Sequence, residues 1–70
     1  MNLSNAAIGQ EYIIRDVLAE DEEIKSFLFS LGCYSGEPIT VVSRRRSSCV
    51  VAIKDARYSI DTQLAHAILV

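Results

Sequence analysis

Four groups of side chains in this sequence could carry chemistry. They are the thiols Cys33 and Cys49, the single imidazole His66, the acidic run Glu20 to Glu23, and the basic run Arg44, Arg45 and Arg46. Nucleophilic catalysis needs a thiol or hydroxyl placed against a base, and metal sites announce themselves by closely paired Cys or His. Cys33, Cys49 and His66 are spread along the chain with no such pairing. His66 reads as a half-exposed surface histidine, so neither an enzyme nor a bound metal or cofactor is expected. The acidic run could hold a hard cation weakly. Its place immediately before an apolar periodic stretch instead reads as a helix start, where carboxylates meet the positive end of the helix dipole. The arginine run admits two readings. It is a basic hairpin tip for an acidic partner surface, phosphates or anionic lipid, or a solvated turn whose charges discourage edge pairing. On a chain of net charge −2 it is too small a patch for nucleic-acid binding.

The element that must organise these residues is Asp21 to Leu31. Ile24, Phe27, Leu28 and Leu31 fall at i, i+3, i+4 and i+7, which predicts a helix with that stripe inward. Asp21 can cap its first N–H groups, and Gly32 directly after the stripe suits a left-handed C-terminal cap. Gly36 then permits a turn into Glu37-Pro38. Phe29 lies off the stripe and is expected to be exposed. With Lys25 and Tyr34 it forms a candidate partner surface; alternatively, Phe29 folds under the loop around Tyr34 and enlarges the core.

The remaining chain supplies strands. Glu11 to Leu18 reads as one strand with Tyr12 and Ile14 on one side. Glu37 to Ser43 places Ile39 and Val41 inward, Arg44 to Ser48 is a polar hairpin loop, and Cys49 to Lys54 places Cys49, Val51 and Ile53 together. Asp55-Ala56 links to a strand from Arg57 to Ile60, with Tyr58 and Ile60 inward. Asp61 or Thr62 can cap a helical turn through His66, and Ile68 to Val70 ends the chain as a short strand. Before the first strand, Leu3 to Ala6 can make one helical turn capped by Ser4 or Asn5. Five short strands joined by hairpins predict a mainly β fold with one inserted helix, closed or partly open as a small barrel. Seventy residues, half of them apolar, make a single domain over residues 1–70. The N-terminus lacks the basic start and apolar run of a signal peptide, and no segment could span a bilayer. A cytoplasmic location and two reduced thiols are therefore expected.

Taken together, these residues resemble the FeoA family, small cytosolic companions of the bacterial ferrous iron transporter FeoB. The lead-in Leu3 and Gly9 matches, as does the helix ending Leu28, Leu31, Gly32 and Gly36. Ile39, Val41 and Val42 match the next strand; Val51, Ile53, Tyr58 and Ile60 match the following pair; and Ala65, Ile68 and Val70 match the close. The resemblance implies an SH3-like five-stranded barrel with the helix inserted after the first strand. It implies a non-enzymatic adaptor that binds the cytosolic GTPase region of FeoB and modulates iron uptake. The residues themselves, and not the family pattern, offer Lys25, Phe29 and Tyr34 on the helix side and Arg44, Arg45 and Arg46 at the hairpin as the partner contacts. The same fold occurs as the C-terminal domain of iron-dependent repressors, so a free-standing regulatory module binding a protein or peptide is the alternative. Ferrous iron favours histidine and carboxylate facial sites, for which one histidine is too few. Two departures stand out: Arg44 to Ser48 replaces a loop of the Ala-Pro-Leu-Gly-Asp-Pro type, and Asp61 stands where many members have arginine.

Overall fold

Two small β-sheets share one apolar core in the computed structural model, which describes residues 1–70. After a 3-10 turn (Leu3–Asn5) come β1 (Glu11–Ile13), β2 (Asp16–Val17), α1 (Glu22–Ser30), β3 (Pro38–Arg44), β4 (Ser48–Ile53), β5 (Ala56–Asp61), α2 (Thr62–Ala67) and β6 (Ile68–Leu69). The larger sheet has the order β1-β3-β4-β5, and β2 pairs with β6 in the smaller one; every pairing is antiparallel. The architecture is thus mainly β with one inserted main helix, as expected. The expected five strands are six, in two sheets, and hydrogen bonding does not close them into a barrel.

The extra strand arises because Glu11 to Leu18 is not continuous. Ile14 donates its N–H to the Glu37 carbonyl at 2.9 Å, whereas Arg15 donates to Leu69 at 2.7 Å. The chain changes partner between these two residues, and β1 and β2 fall in different sheets. Ile14 and Val17 point into the core while Ile13 is exposed. Alternation elsewhere holds: Ile39 and Val41 from β3 and Cys49, Val51 and Ile53 from β4 are all buried, as period-2 side-chain placement requires. Val42 sits at a register shift between Val41 and Ser43, a bulge that bends β3 and lets the strand wrap the core. Around these strands, Leu3, Ala6, Leu28, Cys33, Ile60, Ala65 and Ile68 complete one contiguous cluster.

Small caps hold the ends. Asn2, rather than Ser4 or Asn5, caps the N-terminal turn, its Oδ1 accepting from the Ser4 N–H at 2.9 Å. Asp61 caps α2 by accepting from the Leu64 N–H at 2.8 Å, so the residue that departs from the family pattern has a local structural task. The β4–β5 turn is Lys54-Asp55, because Ile53 pairs with Ala56. Lys54, not Ala56, takes the positive φ of 55° that so tight a hairpin demands.

Candidate interaction surface

Asp21 caps α1 by accepting the Glu23 N–H at 2.8 Å, with Glu22 and Glu23 in the first turn. At the other end, Cys33 donates to the Leu28 carbonyl at 3.1 Å and Gly32 to the Phe29 carbonyl at 3.0 Å. These are the two bonds of a Schellman cap, with Gly32 at φ 101°. The apolar contact that accompanies the motif is between Leu28 and Cys33, both fully buried.

That cap folds the chain back so that Tyr34 lies on Phe29. Their rings stack with centroids 5.4 Å apart and planes 15° from parallel. Lys25, one turn before Phe29, places its Nζ 5.8 Å from the Phe29 centroid. Lys54, in the β4–β5 turn, places its Nζ 6.0 Å from the centroid of Tyr34. The result is a column of two stacked rings with an ammonium over each. Each layer is favourable, since cations sit over the negative ring faces and near-parallel rings attract. Tyr34 is 48 % exposed, so the column presents an aromatic edge and two cations to solvent.

The expected orientation of α1 needs correction. Of the stripe Ile24, Phe27, Leu28 and Leu31, only Leu28 is fully buried and Leu31 partly so. Phe29, expected outside, is half-buried and packs on the core. Ile24 and Phe27 are instead exposed, at 37 % and 48 %. Only the last turn of this nine-residue helix reaches the core. The inward stripe is therefore set by the Schellman turn, not by the apolar positions in the first turns. Phe29 thus enlarges the core and also carries one ring of the column.

Of the expected partner contacts, Lys25, Phe29 and Tyr34 form one cluster, and Arg44, Arg45 and Arg46 lie apart from it. The three arginines precede β4 and Lys54 follows its last residue, so the strand's length, about 17 Å, lies between. Arg44 is the end of β3 rather than a loop residue, and its Nη2 donates to the carbonyls of Ala6 at 2.8 Å and Leu3 at 3.3 Å. It pins the N-terminal turn. Lys54 escaped the sequence reading; the signal for it was the two-residue hairpin that points it back across Gly32.

A groove of about 550 Å³ lies beside the start of α1, lined by Leu18, Ile24 and Leu64 with Glu20, Asp21 and Asp61 among its acidic neighbours. His66 lines the same groove and is exposed. Cys33, Cys49, His66 and the carboxylates nowhere gather as a group of three. Both thiols are free and buried. Burial pushes Cys33 up to about 11 from 9.0. Cys49 is also raised by burial, with the Arg44 charge pulling the other way. Neither is a poised nucleophile at neutral pH. No helix is long and apolar enough to cross a membrane.

Comparison with known proteins agrees with this geometry. The fold is shared with a crystal structure of an iron uptake regulatory protein, FeoA, at TM-score 0.87 and 22 % identity, over 97 % of this chain and 91 % of that one. A Stenotrophomonas maltophilia FeoA crystallised with zinc, described as a prokaryotic SH3 domain protein, gives TM-score 0.87 and 20 % identity over 99 % of this chain and 87 % of that one. A manganese-dependent transcriptional repressor gives TM-score 0.88 and 21 % identity over 97 % of this chain but only 39 % of the repressor. No curated protein matches the sequence. The fold is therefore SH3-like. The model of the FeoA domain matches residues 1–70, the whole length of the chain, which accordingly belongs to the FeoA domain family.

Proposed function

We propose that this protein is a non-enzymatic accessory of ferrous iron uptake that binds the cytosolic GTPase region of FeoB and modulates transport. Family membership over residues 1–70 supports the pathway. The observation that carries the binding mode is the column Lys25, Phe29, Tyr34 and Lys54, half exposed at the end of α1. Aromatic and cationic side chains held in place by their neighbours lose little entropy on docking, which is what anchors at protein interfaces require. Exposed Ile24 and Phe27 extend the same helix with apolar surface. Arg45 and Arg46, at the opposite end of β4, serve as a second, peripheral contact. No nucleic-acid role and no insertion into the membrane is assigned to the protein.

Calorimetric titration of the FeoB nucleotide-binding domain, in both nucleotide states, tests this reading. Saturable binding weakened by Tyr34→Ala supports it; no heat at high partner concentration overturns it. A ratio of affinities between the two nucleotide states would give the size of any nucleotide sensing, since equal affinities shift no equilibrium.

A second reading draws on the likeness to the manganese-dependent repressor, of which this fold is a part. There the protein is a free-standing regulatory module that engages a protein or peptide. Binding to a metal-dependent repressor, with none to the transporter domain, would select it.

A further inference from the structure

At the end of the molecule remote from the aromatic column, Arg44 and Arg46 line a cavity of about 110 Å³ with Ser4, Ser48, Thr62 and the buried Cys49. No carboxylate lines it. The nearest acid in sequence, Asp61, has its Oδ1 engaged by the Leu64 N–H and lines the separate groove beside α1. Arg45, between the two arginines, does not contribute. On a chain of net charge −2, two arginines thus line one recess that has no carboxylate in its lining.

The recess is also held open by backbone. Arg45 donates its N–H to the Ser48 carbonyl at 2.8 Å, and Thr62 donates to the Ser47 carbonyl at 3.1 Å. The hairpin tip is thereby tied to the start of α2. Arg44 is fixed by its Nη2 bonds to the Leu3 and Ala6 carbonyls, which leave its other N–H donors free. The Ser48 and Thr62 hydroxyls make no hydrogen bond within the chain, whereas Ser4 Oγ already donates to Asn2. Arginine and hydroxyl side chains around one recess, with no carboxylate among them, suit an anion with several oxygens.

We propose that this recess binds a tetrahedral oxyanion, either free phosphate or the phosphoryl group of a monoester. Arg44 and Arg46 supply charge-assisted donors, and Ser48 and Thr62 supply neutral ones. The site lies apart from the column at the end of α1 and shares only Arg46 with the peripheral contact of the proposed docking, so an anion here competes with that contact and leaves the column free.

The test is an NMR titration of the labelled full-length chain with inorganic phosphate, against chloride at matched ionic strength. Saturable shifts confined to Ser48, Cys49, Thr62 and the arginine side chains are expected, with a Kd on the order of 1 mM. Arg46→Gln, which touches none of the structural hydrogen bonds, should weaken binding about tenfold, and Thr62→Val should weaken it less. Titration with O-phosphoserine separates the two sources, and saturation by either anion supports the site. Shifts reproduced by chloride, equal affinity for acetate, or undiminished binding by folded Arg46→Gln would overturn it.

Discussion

Phe29 and Tyr34, five positions apart in sequence, lie face to face because a single left-handed residue, Gly32, reverses the chain between them. Their 5.4 Å stack joins the last turn of α1 to the loop that leads into β3, with Lys25 over the Phe29 ring and Lys54 over the Tyr34 ring. Each ring has a different share of burial. Phe29 packs on the core, while Tyr34 is half exposed. Stability and recognition should therefore separate between the two rings.

Tyr34→Ala should leave the fold intact, lowering stability by about 1–2 kcal/mol through loss of the stack and the Lys54 contact. Phe29→Ala should cost more, because it also opens a hole beside Leu28 and Leu31. Urea unfolding of the two variants checks the order. An equal loss would mean that Tyr34 is a core residue and not an exposed anchor.

Gly32→Ala should destabilise the protein by roughly 2 kcal/mol. An L side chain at φ 101° is strained, by about 1–2 kcal/mol for a left-handed residue, and its Cβ would come within 3.2 Å of Ile53 Cγ2. Thermal unfolding measures the loss. Weakened stacking should accompany it as a change in the tyrosine near-UV signal.

This glycine also shows what could be read from the sequence. Asp21 and Gly32 as the two ends of the helix follow from local chemistry, and the structure has them there. The burial of β3 and β4 follows from simple alternation, and it too is as expected. What local patterns do not encode is how far along the helix the core extends. Ile24 and Phe27 satisfy a helical period yet stay outside, because only the last turn meets the sheet. The division between β1 and β2 is similarly non-local. Ile14 and Arg15 are adjacent in an ordinary β-branched run, and only their distant partners, Glu37 and Leu69, assign them to different sheets. The aromatic column was half legible: Lys25, Phe29 and Tyr34 were singled out, but Lys54 comes from a hairpin twenty residues after Tyr34. The arginines share the column's charge and not its place, since the length of β4 lies between them and Lys54.

Asp61→Ala should cost about 1 kcal/mol by removing the cap on α2, and Asp61→Asn should retain most of it. Chemical denaturation of the pair checks this. Equal losses would assign the effect to charge rather than to the hydrogen bond with the Leu64 N–H.

Cys33 should make stability fall at high pH. Its thiol is raised from 9.0 to about 11 by burial, so the folded protein favours the neutral form more than the unfolded chain does. The contribution is complete below pH 9 and is lost as pH rises through about 11, amounting to about 2–3 kcal/mol. Urea midpoints from pH 8 to 11, compared with those of Cys33→Ala, isolate this component from other groups that titrate there. A variant with the same slope would contradict it. Correspondingly, Ellman's reagent at pH 8 should react with the native thiols far more slowly than with the unfolded chain.

The most direct test of the account is an NMR titration of the labelled protein with the FeoB nucleotide-binding domain. The column predicts shifts concentrated on Lys25, Phe29, Tyr34 and Lys54, with smaller ones at Ile24 and Phe27 and weak ones at Arg45 and Arg46. Tyr34→Ala should reduce them all. Shifts centred instead on the arginine end of β4, indifferent to Tyr34→Ala, would contradict the assignment of the aromatic column as the docking face.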